Sequence, residues 1–184
     1  MPMTKDLSHL LPQVIEIARS AGQMILEIYE KKQYEAYTKS DETPVTSADI
    51  AAHKLITERL SELTPDIPVL SEEDADISLQ QRAQWERYWL VDPLDGTQEF
   101  IARSGDFATI IALVDNNKPT MGVVYGPVSG VTYYAYSGKG AWKIPDMSDS
   151  VKIHTHKHEQ PGQSIAIAIS RRQDINRITS RMSS

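Results

Sequence analysis

A strand-like apolar run ends abruptly in two carboxylates near the middle of this 184-residue chain. Residues 88–91 (YWLV) are continuously apolar, which predicts a strand buried on both faces. The next six residues, 92–97, read DPLDGT, so Asp92 and Asp95 follow the strand three positions apart. Pro93 restricts the backbone between them. The sequence therefore predicts a rigid strand-end loop that holds both carboxylates close together.

The rest of this hexapeptide adds further polar groups to the loop. The Leu94 carbonyl is expected to face the same point as the two carboxylates. Gly96 has no side chain, which permits another group to approach closely. Thr97 offers a hydroxyl and is predicted to begin a short helix, whose amides could receive a phosphate oxygen.

Two ionised carboxylates this close repel each other unless a cation neutralises them. Oxygen ligands favour magnesium, manganese or calcium over zinc. A second acidic cluster, residues 72–74 (EED), follows a short apolar strand at residues 68–70. Beside Asp92 and Asp95, Glu72 becomes a candidate ligand that bridges two cations. The competing interpretation is an acidic loop that caps a helix and contacts only water.

Composition excludes several other kinds of site. Nineteen basic residues oppose twenty-five acidic ones, giving a net charge of −6, and no basic stripe for nucleic acid is visible. The chain has no cysteine, which excludes disulfides, thiolate nucleophiles and cysteine-based zinc sites. No signal peptide is recognisable, and no apolar window approaches the ~20 residues of a membrane span. A cytoplasmic location is the default expectation.

Hydrophobic periodicity predicts two amphipathic helices. The first spans residues 6–29, and the second starts at Thr46 or Ser47, where Asp49 completes a capping-box pattern. A third, short helix is expected at residues 78–86. The residues expected on the buried side of the second helix are Ile50, Leu55, Ile56 and Leu60.

Short apolar runs between turn-rich loops predict a mostly antiparallel sheet. Packed against the two long helices, this sheet gives a fold of the α+β class. Residues 31–41 read as a connector or an edge hairpin. The strands are expected at residues 68–70, 88–91, 107–114, 121–125, 131–136, 141–144 and 165–169.

Several motifs together resemble the lithium-sensitive, magnesium-dependent phosphatase family that includes inositol monophosphatase. The match is closer to the 3'(2'),5'-bisphosphate nucleotidases of the CysQ type. The stretches that carry the resemblance are 39–49 (KSDETPVTSAD), 68–74 (PVLSEED), 88–97 (YWLVDPLDGT), 98–100 (QEF) and 122–125 (GVVY). The resemblance implies the N-terminal lobe of a layered α/β/α/β/α fold over residues 1–170, with the start of a C-terminal lobe at 171–184.

The resemblance also implies roles for individual residues. It assigns Mg²⁺ to Glu72, Asp92, Asp95 and the Leu94 carbonyl. Asp41 and Thr97 resemble the pair that positions and deprotonates the attacking water. The residues expected around the substrate phosphate are Glu72, Leu94, Asp95, Gly96 and Thr97.

Asp49 resembles a supporting carboxylate behind these groups. An equally good interpretation is a charge at the start of a helix, close to the helix dipole.

The implied reaction is hydrolysis of the 3'-phosphate of adenosine 3',5'-bisphosphate, a small phosphate ester, to AMP and phosphate by metal-activated water. The alternatives are an inositol or sugar monophosphatase of the same family and an inactive, truncated metal-binding remnant. Haloacid-dehalogenase phosphatases are a further rival, but they need Asp-x-Asp, whereas residues 92–95 read Asp-x-x-Asp.

Two features depart from the family pattern. Gln98 stands where the nucleotidase branch commonly has Lys. The family's Trp-Asp motif, whose Asp completes the metal cage, is absent, because Trp85, Trp89 and Trp142 precede Glu, Leu and Lys. A missing C-terminal lobe is therefore expected, and the surface it would cover favours self-association. Peripheral association with the inner membrane is left open.

Overall fold

The computed structural model of the chain describes residues 8–31, 34–38, 44–74, 77–146 and 148–155. All helices and strands in these ranges belong to one compact unit, Met1–His154. Asp41, the strand expected at 165–169 and the segment 171–184 lie outside the described residues. The lobe boundary at residue 170 therefore stays a prediction.

The first long helix, α1 (Leu11–Lys31), follows a short 3-10 turn at Ser8–Leu10. Its buried stripe follows the 3.6-residue period of an amphipathic helix and packs on the central sheet. The predicted helix is confirmed over the described residues. The buried positions of α1 are Val14, Ile17, Ala18, Ala21, Gly22, Ile25 and Tyr29.

The second long helix, α2 (Ser47–Leu63), begins with the predicted capping box. The Thr46 side chain accepts a hydrogen bond from the Ala48 amide, and the Asp49 carboxylate accepts one from the Thr46 amide at 2.8 Å. The prediction that Ile50 faces the core is wrong, because its side chain is 51% exposed. Asp49 occupies the inward position of this first turn, and the next residue therefore points toward solvent.

Two shorter helices complete the helical elements of the described residues. Helix α3 (Leu79–Arg82) is shorter than the predicted span at 78–86. Helix α4 (Thr97–Ile101) begins at Thr97, as predicted. Among the described residues, no helix combines the length and apolarity needed to cross a membrane.

The strands of the described residues form two sheets. Strands β1 (Ala36–Thr38) and β2 (Pro44–Thr46) pair antiparallel in a sheet of their own. The segment predicted as a connector or an edge hairpin at 31–41 therefore contributes one strand, and the partner of this strand lies beyond it. Seven further strands form the central sheet in the order of the sequence, and only the first pair in it, β3 with β4, is parallel. They are β3 (Val69–Ser71), β4 (Arg87–Asp95), β5 (Ala108–Asp115), β6 (Lys118–Gly126), β7 (Val131–Tyr136), β8 (Gly140–Ile144) and β9 (Val151–Ile153).

The predicted α+β class and mostly antiparallel sheet are confirmed. Helices α1 and α2 pack against each other and against β4, β5 and β6. The core between these helices and the sheet includes Trp89 and Ile111, both fully buried. The Trp89 indole N–H donates to the Thr64 hydroxyl at 2.8 Å, so the polar edge of this large side chain is also satisfied. Strand β9 had not been predicted.

Candidate active site

Parallel pairing of β3 with β4 brings the two acidic clusters together. Ser71 lies opposite Val91, and the Glu72 amide donates to the Val91 carbonyl at 2.9 Å. Both strands run in the same direction, so the residues that follow these positions emerge at the same edge of the sheet. The structure thereby places Glu72 beside Asp92.

A β-bulge presents the second carboxylate of the loop. Strand β4 does not end at Val91, as predicted, but continues to Asp95. Asp92 pairs with Ile110 and Asp95 pairs with Ala108, so an advance of three residues on β4 corresponds to only two residues on β5. Pro93 lies inside this irregularity, where its missing N–H costs no ladder hydrogen bond, and its carbonyl accepts from the Thr109 hydroxyl at 3.0 Å. Bulges of this kind redirect side chains and are frequent next to active sites.

Asp92 occupies an electrostatically unfavourable position. Burial raises the pKa of its carboxyl from 3.8 to about 7, with further contributions from the negative charges of Glu72 and Asp95. A hydrogen bond from the Leu94 backbone partly opposes this rise in the pKa. Oδ1 of Asp92 is buried and finds no hydrogen-bond partner in the described part of the chain.

These properties suit a divalent cation, because a buried oxygen without a donor and two repelling neighbours are all satisfied by positive charge. Among the residues that the structure describes, no three His, Asp or Glu side chains are already arranged as a metal-binding group. Glu72 and Asp95 are exposed, whereas Oδ1 of Asp92 is buried. The assignment of Glu72, Asp92, Leu94 and Asp95 as ligands stays a prediction.

Thr97 is joined to the buried start of α2. Its hydroxyl lies 3.1 Å from Oδ1 of Asp49 and 3.2 Å from the Leu94 carbonyl, and either oxygen can accept its proton. Asp49 is only 2% exposed. Its other oxygen accepts the Thr46 amide, so one carboxylate both caps α2 and contacts the loop. Asp41, which was expected to work with Thr97, lies outside the described residues.

Sequence reasoning found Asp49 through its capping pattern but gave it only a supporting role. The contact with Thr97 joins positions 48 residues apart, and local spacing carries no signal for such a pairing. The capping box was the available clue, since it fixes which way the Asp49 carboxylate points.

Gly96 closes the loop and precedes α4. Its φ of +91° lies in the left-handed region, and a Cβ built on it would lie 2.9 Å from the Asp106 carbonyl oxygen. Glycine is therefore required both by the positive φ at this position and by the closeness of the Asp106 carbonyl. The expected phosphate contacts of the Gly96 and Thr97 amides stay predictions.

The fold and the site together define an α+β protein with an acidic centre at the carboxyl ends of two parallel strands. The chain belongs to the inositol monophosphatase family, whose model matches residues 6–183. This confirms the family resemblance of the sequence motifs.

Within this family, the chain is similar to several proteins named CysQ. The chain is 56% identical over 135 residues to the 3'(2'),5'-bisphosphate nucleotidase CysQ of Salmonella typhimurium, covering 73% of this chain and 54% of that protein. It is 42% identical over 161 residues to the CysQ of Haemophilus influenzae, covering 88% and 59%. With 54% of the Salmonella protein matched, the chain spans about half the length of these curated relatives.

Solved structures agree with this relationship. CysQ from Bacteroides thetaiotaomicron is similar with a TM-score of 0.69 and 35% identity, over 97% of this chain and 68% of that one. The Thermotoga maritima IMPase TM1415 is similar with a TM-score of 0.65 and 26% identity, over 73% of this chain and 51% of that one.

Proposed function

We propose that the chain forms the cation-binding part of a magnesium-dependent phosphoric monoester hydrolase, which hydrolyses the 3'-phosphate of adenosine 3',5'-bisphosphate to AMP and phosphate. The observation that carries the proposal is the buried, unpartnered oxygen of Asp92, on a carboxyl whose pKa is raised by burial and by the nearby charges of Glu72 and Asp95. The names of the CysQ relatives support the nucleotide as substrate.

Glu72, Asp92, Asp95 and the Leu94 carbonyl would hold the cations. Bound cations would neutralise the anionic ester, lower the pKa of a water molecule and stabilise the leaving oxygen. The chain contributes fixed backbone positions for these ligands, since strand pairing holds the backbone at Glu72 and the bulge sets the backbone from Asp92 to Asp95.

Thr97 and Asp49 would orient the attacking water. When the Thr97 hydroxyl donates to Asp49, its oxygen keeps a lone pair with which to accept a hydrogen bond from water. Asp49 is buried, so it acts on the water through the threonine rather than directly. The role of Asp41 stays a prediction that rests on the family resemblance.

Direct hydrolysis explains the site better than a phosphoaspartate. A phosphoaspartate mechanism of the haloacid-dehalogenase type needs Asp-x-Asp, whereas residues 92–95 read Asp-x-x-Asp, and one of the two carboxylate oxygens of Asp92, Oδ1, is buried. Trapping a covalent phosphoryl group on Asp92 would contradict this assignment.

Phosphate release tests the proposal. Purified chain is assayed with adenosine 3',5'-bisphosphate and with inositol 1-phosphate, with and without Mg²⁺, together with Asp95→Asn and with Asp66→Asn as the control. We expect Mg²⁺-dependent, lithium-inhibited release from the nucleotide, which Asp95→Asn abolishes and the exposed Asp66→Asn leaves intact.

Each other result selects a rival. Faster release from inositol 1-phosphate would favour an inositol phosphatase. No release from folded protein with either substrate would favour an inactive cation-binding remnant. Self-association and peripheral membrane association stay predictions, which sedimentation alone and with anionic vesicles would test.

A further inference from the structure

One histidine of α2 contacts both ends of the short turn that carries Glu72. Nδ1 of His53 lies 2.9 Å from the Ser71 hydroxyl, before Glu72 in the chain. Nε2 of the same ring lies 3.8 Å from Oδ1 of Asp74, two residues after Glu72. None of the roles assigned above involves this ring.

The turn is also closed by its own hydrogen bonds. The Ser71 amide donates to Oδ2 of Asp74 at 2.9 Å, and the Asp74 amide donates to the Ser71 carbonyl at 3.1 Å. The Glu73 amide lies 3.4 Å from the Ser71 hydroxyl oxygen and donates to it. Because Ser71 and Asp74 are the two residues that close the turn, a side chain that contacts both restrains the two residues between them, Glu72 included.

A serine, a histidine and an aspartate in contact can also form a nucleophilic triad, but this cluster is not one. Ser71 is only 3% exposed, and its hydroxyl already bonds the ring and the Glu73 amide. A nucleophile must reach the substrate, and a buried hydroxyl cannot. The cluster is therefore built for position rather than for covalent chemistry.

We propose that His53 is a positioning residue for Glu72. The proposal rests on the proposed function, in which Glu72 is a cation ligand. Helix α2 then has two links to the site, Asp49 to Thr97 and His53 to Ser71. The two helical residues are four positions apart, so they lie one turn apart on the same helix face. The helix thereby sets the separation between the acidic turn and the threonine.

The physical effect is a reduction of disorder in the cation-free protein. Glu72 has an exposed side chain on a short turn, and such segments open locally at low free-energy cost. Without His53, the turn must be ordered when the cation binds, which weakens affinity. Groups that orient metal ligands typically change metal affinity by about 10–100-fold.

Hydrogen exchange of the cation-free full chain tests the contact itself. The variants are His53→Ala, His53→Asn and His53→Gln, with Lys54→Ala as the control, since Lys54 is the exposed neighbour on the same helix. Asn keeps a polar atom near the Nδ1 position and Gln keeps one near the Nε2 position, so they separate the Ser71 contact from the Asp74 contact.

We expect His53→Ala to speed exchange of the amides of residues 71–74 at least about tenfold. This factor corresponds to about 1.4 kcal/mol in the free energy of local opening. Exchange of the α4 amides should not change in His53→Ala, and Lys54→Ala should exchange like the unmodified chain. His53→Asn should restore most of the protection, because the 2.9 Å contact is to Ser71. The proposal is overturned if His53→Ala leaves the exchange of residues 71–74 unchanged. It is also overturned if His53→Asn, His53→Gln and Lys54→Ala all lose the same amount of protection.

Magnesium titration of the same proteins connects the turn to the cation. We expect His53→Ala to need about tenfold more Mg²⁺ for half-maximal phosphate release, with kcat recovered at saturating Mg²⁺, and His53→Asn to behave nearly as the unmodified chain. A fall in kcat at every Mg²⁺ concentration would contradict the positioning role. If exchange responds as expected but the unmodified chain takes up no Mg²⁺, the proposed function fails while the restraint of the turn stands.

Discussion

At the scale of single residues, Asp92 combines burial with negative neighbours. Burial, followed by the charges of Glu72 and Asp95, raises the pKa of Asp92 to about 7. Without a cation, its carboxyl is therefore partly protonated at neutral pH. Since cations bind the ionised form, a proton must leave when Mg²⁺ enters, and affinity for Mg²⁺ should increase as pH rises through about 7.

The same carboxyl makes the stability of the cation-free protein depend on pH. Its folded-state pKa of about 7 lies above the reference value of 3.8. As pH rises between these values, the unfolded chain loses the proton first and the folded chain still binds it. Folded-state stability therefore falls across this window and levels off above it.

Asp92→Asn should remove this pH dependence. We expect the melting temperature of the variant, relative to that of the unmodified chain, to rise from pH 5 to pH 8 when no divalent cation is present. Thermal unfolding followed by circular dichroism at both pH values measures it, with the exposed Asp66→Asn as control. A difference that stays constant with pH would contradict the account of Asp92.

Gly96 is the second residue whose identity the site requires. Gly96→Ala should destabilise the protein through a positive φ and through contact with the Asp106 carbonyl, at 2.9 Å from the new Cβ. Gly138→Ala is a matched control, because Gly138 has a φ of +78° but nothing within 4 Å of an added Cβ.

Urea unfolding separates the two effects of Gly96→Ala. We expect Gly138→Ala to lose about 1–2 kcal/mol of unfolding free energy from the backbone conformation alone. Gly96→Ala should lose at least about 1 kcal/mol more, because a backbone oxygen cannot move aside cheaply. Equal losses would show that the approach of Asp106 does not matter.

At the scale of secondary-structure elements, β4 is both a core strand and the support of the site. Its first half buries Trp89 and Val91, and its second half contains the bulge that separates Asp92 from Asp95. The apolar run predicted the first half correctly. The bulge escaped prediction because it depends on register with β5 and on the hydroxyl of Thr109, which lies 16 residues from its acceptor.

In other elements too, features set by neighbouring residues were predictable, whereas features set by residues distant in the sequence were not. The start of α2 was predictable because the Thr46 and Asp49 side chains act within one turn. The exposure of Ile50 was not, since it depends on Asp49 turning inward to meet a distant loop. Strand β9 reads Val-Lys-Ile and is mostly exposed, so it lacks the continuous apolar run that indicated the equally short β3.

Thr109→Val tests whether the bulge supports the cation site. Removing the hydroxyl leaves the Pro93 carbonyl without its 3.0 Å donor, and we expect a loss of about 1–3 kcal/mol in unfolding free energy together with weaker Mg²⁺ binding. Thr120→Val is the matched control, because its hydroxyl donates to the Leu113 carbonyl at 3.2 Å at another irregularity of the sheet.

Both variants are compared by urea unfolding and by Mg²⁺ titration. Thr120→Val should lose stability without losing Mg²⁺ affinity, since its contact lies between β5 and β6. If Thr109→Val binds Mg²⁺ as well as the unmodified chain does, the bulge does not set the positions of the ligands.

At the scale of the whole molecule, strand order decides which carboxylates meet. Strands β3 and β4 are separated in the sequence by α3, yet they pair in parallel. This parallel pair puts Glu72 and Asp92 at the same sheet edge, while the antiparallel pairing of β4 with β5 and its bulge add Asp95. Sequence motifs and family resemblance named these residues, but only the topology explains why they are neighbours.

Calorimetric titration of Mg²⁺ into the cation-free chain at pH 8 tests the central claim most directly. The account predicts saturable uptake by the unmodified protein, lost in Asp92→Asn and in Asp95→Asn, and kept in Asp66→Asn. Uptake that persists in both site variants, or no uptake by the folded unmodified chain, would contradict it.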